Sequence, residues 1–296
     1  IDMSLRALLN PGDEILIPSP DYPLWSAATV LNGGKAVFYE CTSDNKFLPN
    51  LEQIESKISS KTKAIVVINP NNPSGAVYDR DTLKSIADLA ERNNLVLLSD
   101  EIYDQMIYDD AEFIPMASIA KNSVCLTFSG LSKIYRACGY RVGWVVFSGD
   151  IERASQYQHG MTKLSALRLC SNVPGQWAVQ TALGGIQSIK KLVNPEGRLY
   201  QSRNTVINRA SESSYLHLER PMGAMYAFLK LDERFNKKLD DYTFAHELLE
   251  KKHVLIAPGS SFNTPYSNHF RITTLPDTDT IDIVFDRIED FLKQYS

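Results

Sequence analysis

The chain has 296 residues, of which 44% are hydrophobic and 22% charged, and its formal net charge is −4 at pH 7. This is the composition of a globular protein, and the length allows one large core and a smaller second domain. The slightly acidic balance argues against partners such as nucleic acid or an anionic membrane surface. In addition, no apolar stretch approaches the roughly 20 residues of a membrane helix.

The histidines and cysteines give no sign of a metal site or a disulfide framework. The five histidines lack ligand spacing, so we expect no bound metal. We interpret the scattered cysteines as reduced, mostly buried thiols, which favours a cytoplasmic protein. They are Cys41, Cys125, Cys138 and Cys170.

In chain order, apolar runs alternate with helical patterns. Residues 1–9 are typical of a helix interior, and because residue 1 is isoleucine we expect the sequence to be N-terminally incomplete. The following runs predict strands at 14–17, 35–40, 64–68, 95–98, 124–128 and 144–147. Helices are predicted up to 31, at 51–58, from 79 through 90, between 151 and 189 with a break at 174–175, and at 198–210.

This alternation predicts an α/β fold with a mostly parallel central sheet covered by helices on both faces. Beyond residue 194 the pattern changes to strands at 221–228, 254–257 and 270–273, followed by an amphipathic helix that ends near 292. The sequence therefore predicts a large domain over 1–193 and a smaller α+β domain over 194–296.

One stretch, from Val124 to Trp144, places a lysine beside a buried strand. Lys133 follows the apolar run after Ser129 and Gly130. Lysine is rarely buried without a partner. A desolvated amine with cationic neighbours can attack an aldehyde and form a Schiff base, whereas the ordinary alternative is a surface lysine at a strand end.

Other polar residues lie just past the carboxyl ends of predicted strands. Asn72, Asp100, Tyr103 and Lys133 occupy such positions. In parallel sheets, ligands bind outside these ends, so we expect the four side chains to converge.

A pyridoxal phosphate cofactor on Lys133 would explain this set of residues. Asp100 would keep the ring nitrogen protonated, and Asn72 and Tyr103 would donate hydrogen bonds to the ring oxygen. Further predicted contacts are Tyr22 stacked on the ring, Arg141 with Ser129 and Ser132 at the phosphate, and Arg271, together with Asn72, at the substrate carboxylate.

Each of these residues also has an ordinary structural interpretation. Asp100 could cap a helix, Asn72 could form an Asx turn, and Tyr103 could be a packed core tyrosine. Arg141 could lie at a helix terminus, and Arg271 could form a surface ion pair.

Four motifs occur in order along the chain. They are Asn69-Pro-Asn-Asn-Pro-Ser-Gly75, Ser99-Asp-Glu-Ile-Tyr103, Ser129-Gly-Leu-Ser-Lys133 with Gly139-Tyr-Arg-Val-Gly-Trp144, and His269-Phe-Arg-Ile272. Together they resemble the class I/II aminotransferases of the aspartate aminotransferase fold, also called the type I fold of PLP-dependent transferases. Within that family, the sequence is most similar to the bacterial glutamate–pyruvate (alanine) branch.

The resemblance implies a ping-pong transfer of an amino group between an L-amino acid, alanine for this branch, and a 2-oxo acid such as 2-oxoglutarate. It implies Lys133 as the Schiff-base lysine and proton shuttle, assigns the other residues the cofactor and substrate contacts given above, and implies a homodimer. Two alternatives stay open: a carbon–sulfur lyase or another aminotransferase on the same scaffold, and an aminotransferase-like sensor domain of a transcription regulator.

Overall fold

A six-stranded sheet forms the centre of the protein in the computed structural model, which describes residues 1–295. Its strands are β1 (Glu14–Ser19), β2 (Lys35–Glu40), β3 (Thr62–Ile68), β4 (Val96–Asp100), β5 (Val124–Gly130) and β6 (Gly143–Gly149). The order across the sheet is β2-β1-β3-β4-β5-β6. The first five strands run parallel, and β6 pairs antiparallel with β5. The predicted α/β fold with a mostly parallel sheet is confirmed.

Ten α-helices accompany the strands within the described residues. Several begin at a side-chain cap; Asp79, for example, accepts a hydrogen bond from the Thr82 amide at the start of α4. The helices are α1 (Asp2–Leu8), α2 (Leu24–Leu31), α3 (Leu51–Lys57), α4 (Arg80–Arg92), α5 (Ile151–Arg168), α6 (Val173–Gly184), α7 (Ile189–Val193), α8 (Arg198–Glu212), α9 (Asp241–Lys252) and α10 (Thr278–Leu292).

Each face of the central sheet contributes to a separate apolar cluster. Neighbouring residues of a strand point to opposite faces, so Ile65 and Val67 pack with side chains from α3 and α4. Ala64 and Val66 pack on the other side with side chains from α1, α2 and α5. Helices therefore cover both faces, and the polar carboxyl ends of the strands are left at one edge.

A second sheet lies in the C-terminal part of the chain. Its strands are β7 (Leu216–Leu218), β8 (Tyr226–Leu231), β9 (Ala257–Pro258) and β10 (His269–Thr273), in the order β7-β8-β10-β9. All neighbouring strands of this sheet are antiparallel, and α8, α9 and α10 contribute to its core. The division into domains at 193/194 stays a prediction. The last residue of the predicted second domain, Ser296, lies outside the described residues.

Several predicted strand ends were wrong. β4 continues to Asp100 because Asp100 pairs with Ile68 on one side and Phe128 on the other. β5 continues through Gly130, which pairs with Gly143 of β6. In the second sheet, residues 221–225 and 254–256 lie outside the strands predicted for them. Partner strands distant in sequence decided these ends.

The thiols only partly follow the prediction of mostly buried cysteines. Cys41 and Cys125 are buried, whereas Cys138 and Cys170 are exposed, and all four are free.

Within residues 1–295, no helix has the length and apolar character needed to cross a membrane. Over the same residues, no group of three or more His, Cys, Asp or Glu side chains could hold a metal ion.

Candidate active site

A cavity of about 670 Å³ opens at the carboxyl ends of the parallel strands. The chain reverses its direction across the sheet between β1 and β3, which is where ligands bind in sheets of this kind. All nine predicted site residues line this cavity: Tyr22, Asn72, Asp100, Tyr103, Ser129, Ser132, Lys133, Arg141 and Arg271. The predicted convergence is therefore observed, while the role of each residue stays a prediction.

Asp100, the last residue of β4, is buried inside this cavity. Its Oδ2 accepts a hydrogen bond from the indole Nε1 of Trp25 at 3.1 Å. Burial raises the pKa of Asp100, whereas the Trp25 indole, the Ile102 amide and nearby Lys133 act to lower it. The carboxylate is thus held in a low-dielectric position, with the Trp25 indole and the Ile102 amide as its donors.

Lys133 follows β5 in a half-buried turn. Its Nζ lies 5.9 Å from the centre of the Tyr103 ring, and the side chain enters the same cavity as Asp100. The turn is held by the Arg136 amide, which donates to the Lys133 carbonyl at 3.0 Å. The turn holds the Lys133 backbone in place, while the long side chain can still change its conformation. This combination would suit a proton-transfer group.

Two tyrosines meet over the cavity. The hydroxyls of Tyr103 and Tyr226 are 2.9 Å apart, and their rings pack edge to face with centres 5.8 Å apart. Burial is the largest cause that raises the pKa of Tyr103 well above its usual value. Tyr103 therefore keeps its proton at neutral pH and can donate it in a hydrogen bond.

Arg271 reaches the cavity from β10 of the second sheet. Its Nη1 donates to Asn72 Oδ1 at 2.9 Å, across 199 positions of sequence. The guanidinium carbon lies 4.3 Å from the Tyr226 ring centre and 4.7 Å from that of Phe262. Burial lowers the pKa of Arg271, and its Nε is buried without a hydrogen-bond partner. A buried, unpartnered guanidinium donor indicates a place for an anion.

Arg141, Ser129 and Ser132 line the side of the cavity near the start of β6. Arg141 is exposed, adopts a left-handed backbone with φ of 52°, and donates from Nη1 to the Cys138 carbonyl at 2.8 Å. Ser129 and Ser132 are half-buried. Two hydroxyls beside a guanidinium form a donor set suited to a phosphate group.

Comparison with known proteins agrees with this geometry. The profile of the family "Aminotransferase class I and II" matches residues 1–288. The glutamate–pyruvate aminotransferase AlaA of Escherichia coli K12 is 45% identical over 296 residues, which are 100% of this chain and 73% of that protein. An alanine aminotransferase of Mycobacterium tuberculosis is 47% identical over 295 residues, covering 100% of this chain and 69% of the relative.

A solved structure has the same fold. The crystal structure of an aminotransferase from Escherichia coli superposes with a TM-score of 0.97 at 44% identity, and covers 99% of this chain and 73% of that chain. The chain belongs to the class I and II aminotransferases, whose members depend on PLP in general. The predicted family and enzyme class are confirmed, and neither alternative class is favoured.

The residues present fit such a cofactor. Four cationic side chains line the cavity, against the single carboxylate of Asp100, so the donor set favours a ligand with several negative charges. The unpartnered Nε of Arg271 adds a free donor for a carboxylate. The four cations are Lys133, Arg141, Arg168 and Arg271.

Three aromatic residues of the site were missed as functional residues. Sequence patterns assign no role to Trp25, Tyr226 or Phe262. Tyr226 lies between the apolar residues Met225 and Ala227 in a predicted strand, and a polar-tipped ring at that position is a signal that could have identified it. Trp25 carried no such signal, because its partner Asp100 is 75 positions away.

Proposed function

We propose that the protein is a PLP-dependent alanine aminotransferase that exchanges an amino group between L-alanine and 2-oxoglutarate. Its relatives at 45% and 47% identity are a glutamate–pyruvate aminotransferase and an alanine aminotransferase, which supports this substrate pair. The observation that carries the proposal is the meeting of all nine predicted side chains in one cavity, with the Arg271 Nε free to bind an anion.

The presence of each group in the cavity supports the following cofactor contacts. PLP supplies an electron sink for the negative charge that develops at the substrate Cα. Lys133 would hold PLP through Nζ, and Asp100 would pair with the ring nitrogen of PLP. Further contacts would be Asn72 and Tyr103 at the ring oxygen, Tyr22 at the ring face, and Ser129, Ser132 and Arg141 at the phosphate.

The protein side chains would bind the substrate and move one proton. Arg271 binds the α-carboxylate of either substrate. Asn72 Oδ1 fixes the orientation of the Arg271 guanidinium by accepting a hydrogen bond from Nη1. Lys133 Nζ removes the proton from Cα as a general base and later delivers it as a general acid. One amino acid leaves as a 2-oxo acid before the second 2-oxo acid enters, which makes the reaction ping-pong.

The visible absorption spectrum of the full-length protein with PLP tests this proposal directly. We expect a visible band that L-alanine bleaches and that 2-oxoglutarate restores. A band that forms but ignores alanine would exclude alanine as donor and leave a lyase, another aminotransferase or a sensor. Absence of any band would contradict Lys133 as the anchor.

Replacing Lys133 tests its role separately. Lys133→Ala is expected to abolish transamination, by at least about three orders of magnitude, because it removes both the anchor and the proton shuttle. The far-ultraviolet circular dichroism should not change. Lys121→Ala, at an exposed lysine before β5, is the control and should keep parental turnover. Retained turnover in Lys133→Ala would refute the assignment.

We further propose that the protein acts as a homodimer in the cytoplasm and that its domains divide at 193/194. Large apolar side chains on and around α5 and α6 support an interface, since Leu167, Leu169, Trp177 and Ile186 are 80%, 83%, 76% and 90% exposed. The free cysteines are consistent with a reducing compartment. Sedimentation equilibrium of the full-length protein tests the dimer, and a monomer would contradict it.

A further inference from the structure

Two loops distant in sequence lie near the substrate end of the cavity: the first lines the cavity, and the second carries a ring that packs on Arg271. The loop after β1 carries Tyr22, which lines the cavity. The short 3-10 turn before β10 carries Phe262, whose ring centre lies 4.7 Å from the guanidinium carbon of Arg271. The relative position of these loops therefore decides how Phe262 meets Arg271.

Four hydrogen bonds join residues 19–26, which include the loop after β1, to Phe262 and Asn263. The Asp21 amide donates to the Phe262 carbonyl at 2.9 Å, and Ser19 Oγ donates to the Asn263 carbonyl at 2.8 Å. The other two come from one atom: Asn263 Nδ2 donates to Asp21 Oδ1 and to Ser26 Oγ, both at 2.9 Å. We call these four bonds the Asn263 latch.

The latch depends on a buried carboxylate. Asp21 is 0% exposed, and its Oδ2 is buried without a hydrogen-bond partner. Burial raises its pKa to about 6, while donors such as Asn263 and Ser26 act to lower it. A buried carboxylate that loses a donor is destabilised more than an exposed one, so the Asn263 amide has a large effect on the loop that bears Asp21.

The backbone of Asn263 also suits this position. Its φ is 52°, in the left-handed region that asparagine tolerates better than most residues. The residue thus turns the chain after Phe262 and at the same time sends its amide to the other loop.

We propose that Asn263 is a positioning residue for substrate binding: its latch holds Phe262 against Arg271, so that the guanidinium presents its free donors to the substrate carboxylate. The proposal rests on the proposed role of Arg271 as the carboxylate clamp. Phe262 and Tyr226 both lie within 5 Å of the guanidinium carbon, so release of one ring lets the guanidinium turn away. No latch bond involves Lys133 or Asp100.

Steady-state kinetics of Asn263→Gly test the proposal. Glycine keeps the left-handed backbone and removes the amide. We expect KM to rise about fivefold for both the amino acid and the 2-oxo acid, and by the same factor, because both use Arg271. The kcat should stay within about twofold. Asn94→Gly, at an exposed asparagine with φ of 58° after α4, is the matched control and should change neither constant.

A reversed pair separates the specific contact from a general disturbance. Asn263→Asp places two carboxylates together and should raise KM more than the glycine variant. Adding Asp21→Asn restores one donor and one acceptor in exchanged positions, because the amide at position 21 now donates to the carboxylate at position 263. The double variant should return KM to within about twofold of the parent, and failure of this rescue would overturn the latch as the cause.

Hydrogen exchange of the cofactor-free protein gives a readout independent of activity. Asn263→Gly should speed exchange in residues 19–26, which include the Asp21 amide that donates to Phe262. Faster exchange with unchanged KM would overturn the positioning role, as would a raised KM with unchanged exchange, or a loss confined to kcat. If the parent does not transaminate at all, the proposed function fails, while unchanged exchange would show separately that the latch fails.

Discussion

At the scale of single residues, the pair formed by Trp25 and Asp100 controls the charge at the inner end of the cavity. Trp25 is fully buried, and its ring packs edge to face on Phe128 with centres 5.1 Å apart. The indole therefore has little freedom and keeps its N–H on the Asp100 carboxylate. The indole favours the ionised state of Asp100, which is the state that the proposed pairing with a protonated ring nitrogen requires.

Trp25→Phe should weaken PLP binding about tenfold or more. Phenylalanine keeps most of the packing and removes the donor to a charged acceptor, so the pKa of Asp100 rises further. The dissociation constant from an absorption titration at pH 7 to 8 measures the effect. Tyr39→Phe, which removes another buried donor, to the Val66 carbonyl, is the control. Equal affinity in Trp25→Phe and the parent would contradict this role.

Glu101, next in sequence, is a second buried carboxyl whose charge affects stability. Its Oε1 accepts from the Ser99 hydroxyl and the Met116 amide, both at 2.9 Å. Burial is the largest cause that raises its pKa to about 7, from 4.5. Because the folded value is the higher one, this group's contribution favours the folded state most below pH 4.5 and falls as pH rises to 7.

Glu101→Gln should therefore stabilise the protein at pH 8 by up to about 3 kcal/mol, since the amide keeps the Oε1 acceptor without the buried charge. The gain should shrink through the interval from pH 7 to 4.5 and vanish below it. Urea unfolding at pH 5 and pH 8 measures this, with Glu112→Gln at an exposed site as the control. A gain independent of pH would show that charge is not the cause.

At the scale of elements, hydrogen bonds within the protein fix the loop over residues 69–75. Asn69 Oδ1 accepts from the Tyr78 amide at 2.9 Å. The Met222 and Gly223 amides both donate to the Gly75 carbonyl, at 2.9 and 2.8 Å. The segment before β8 thus holds the loop that presents Asn72 to Arg271.

Gly75→Ala should break this arrangement. Gly75 has φ of 73°, and a Cβ there would lie 2.5 Å from Pro221 Cβ. Strain and overpacking together should lower the free energy of unfolding by about 2–4 kcal/mol. The KM of both substrates should also rise, because Asn72 moves. Chemical unfolding and kinetics measure both effects; Gly184→Ala, where a Cβ meets nothing within 4 Å, is the control. Parental stability would refute the steric argument.

At the scale of the whole molecule, a buried arginine on α8 ties the helix to a segment that follows β4. Arg203 is 0% exposed; its Nη2 donates to Asp109 at 2.6 Å and its Nε to the Pro221 carbonyl at 2.8 Å. Although burial acts to raise the pKa of Asp109, Arg203, Tyr200 and Arg220 lower it to about 2. The ion pair therefore persists at every pH well above 2.

Arg203→Ala should lower the free energy of unfolding by about 3 kcal/mol, because it empties a fully buried position and leaves the Pro221 carbonyl without its Nε donor, although Asp109 keeps its bonds from Tyr200 and Arg220. Arg92→Ala is the control: Arg92 pairs with Glu55 at 3.5 Å on the surface, and its loss should cost less than about 1 kcal/mol. Equal effects in both variants, measured by urea unfolding at pH 7, would contradict the difference in burial.

Local patterns in the sequence were enough to predict the fold class and nine of the residues that line the cavity. Strand and helix periodicity depends on near neighbours, and Lys133, Asp100 and Asn72 could be identified because each follows a predicted apolar strand. Exact strand ends could not be predicted: Asp100 and Gly130 belong to strands only because partner strands pair with them.

The tertiary structure alone decided which side chains touch. The contacts of Trp25 with Asp100, Arg271 with Asn72, and Asn263 with Asp21 join residues 75, 199 and 242 positions apart. Such pairs form only after whole elements have packed, and local pattern carries no information about them. The candidate site residues could therefore be predicted from the sequence, whereas the contacts that orient them could be identified only in the folded chain.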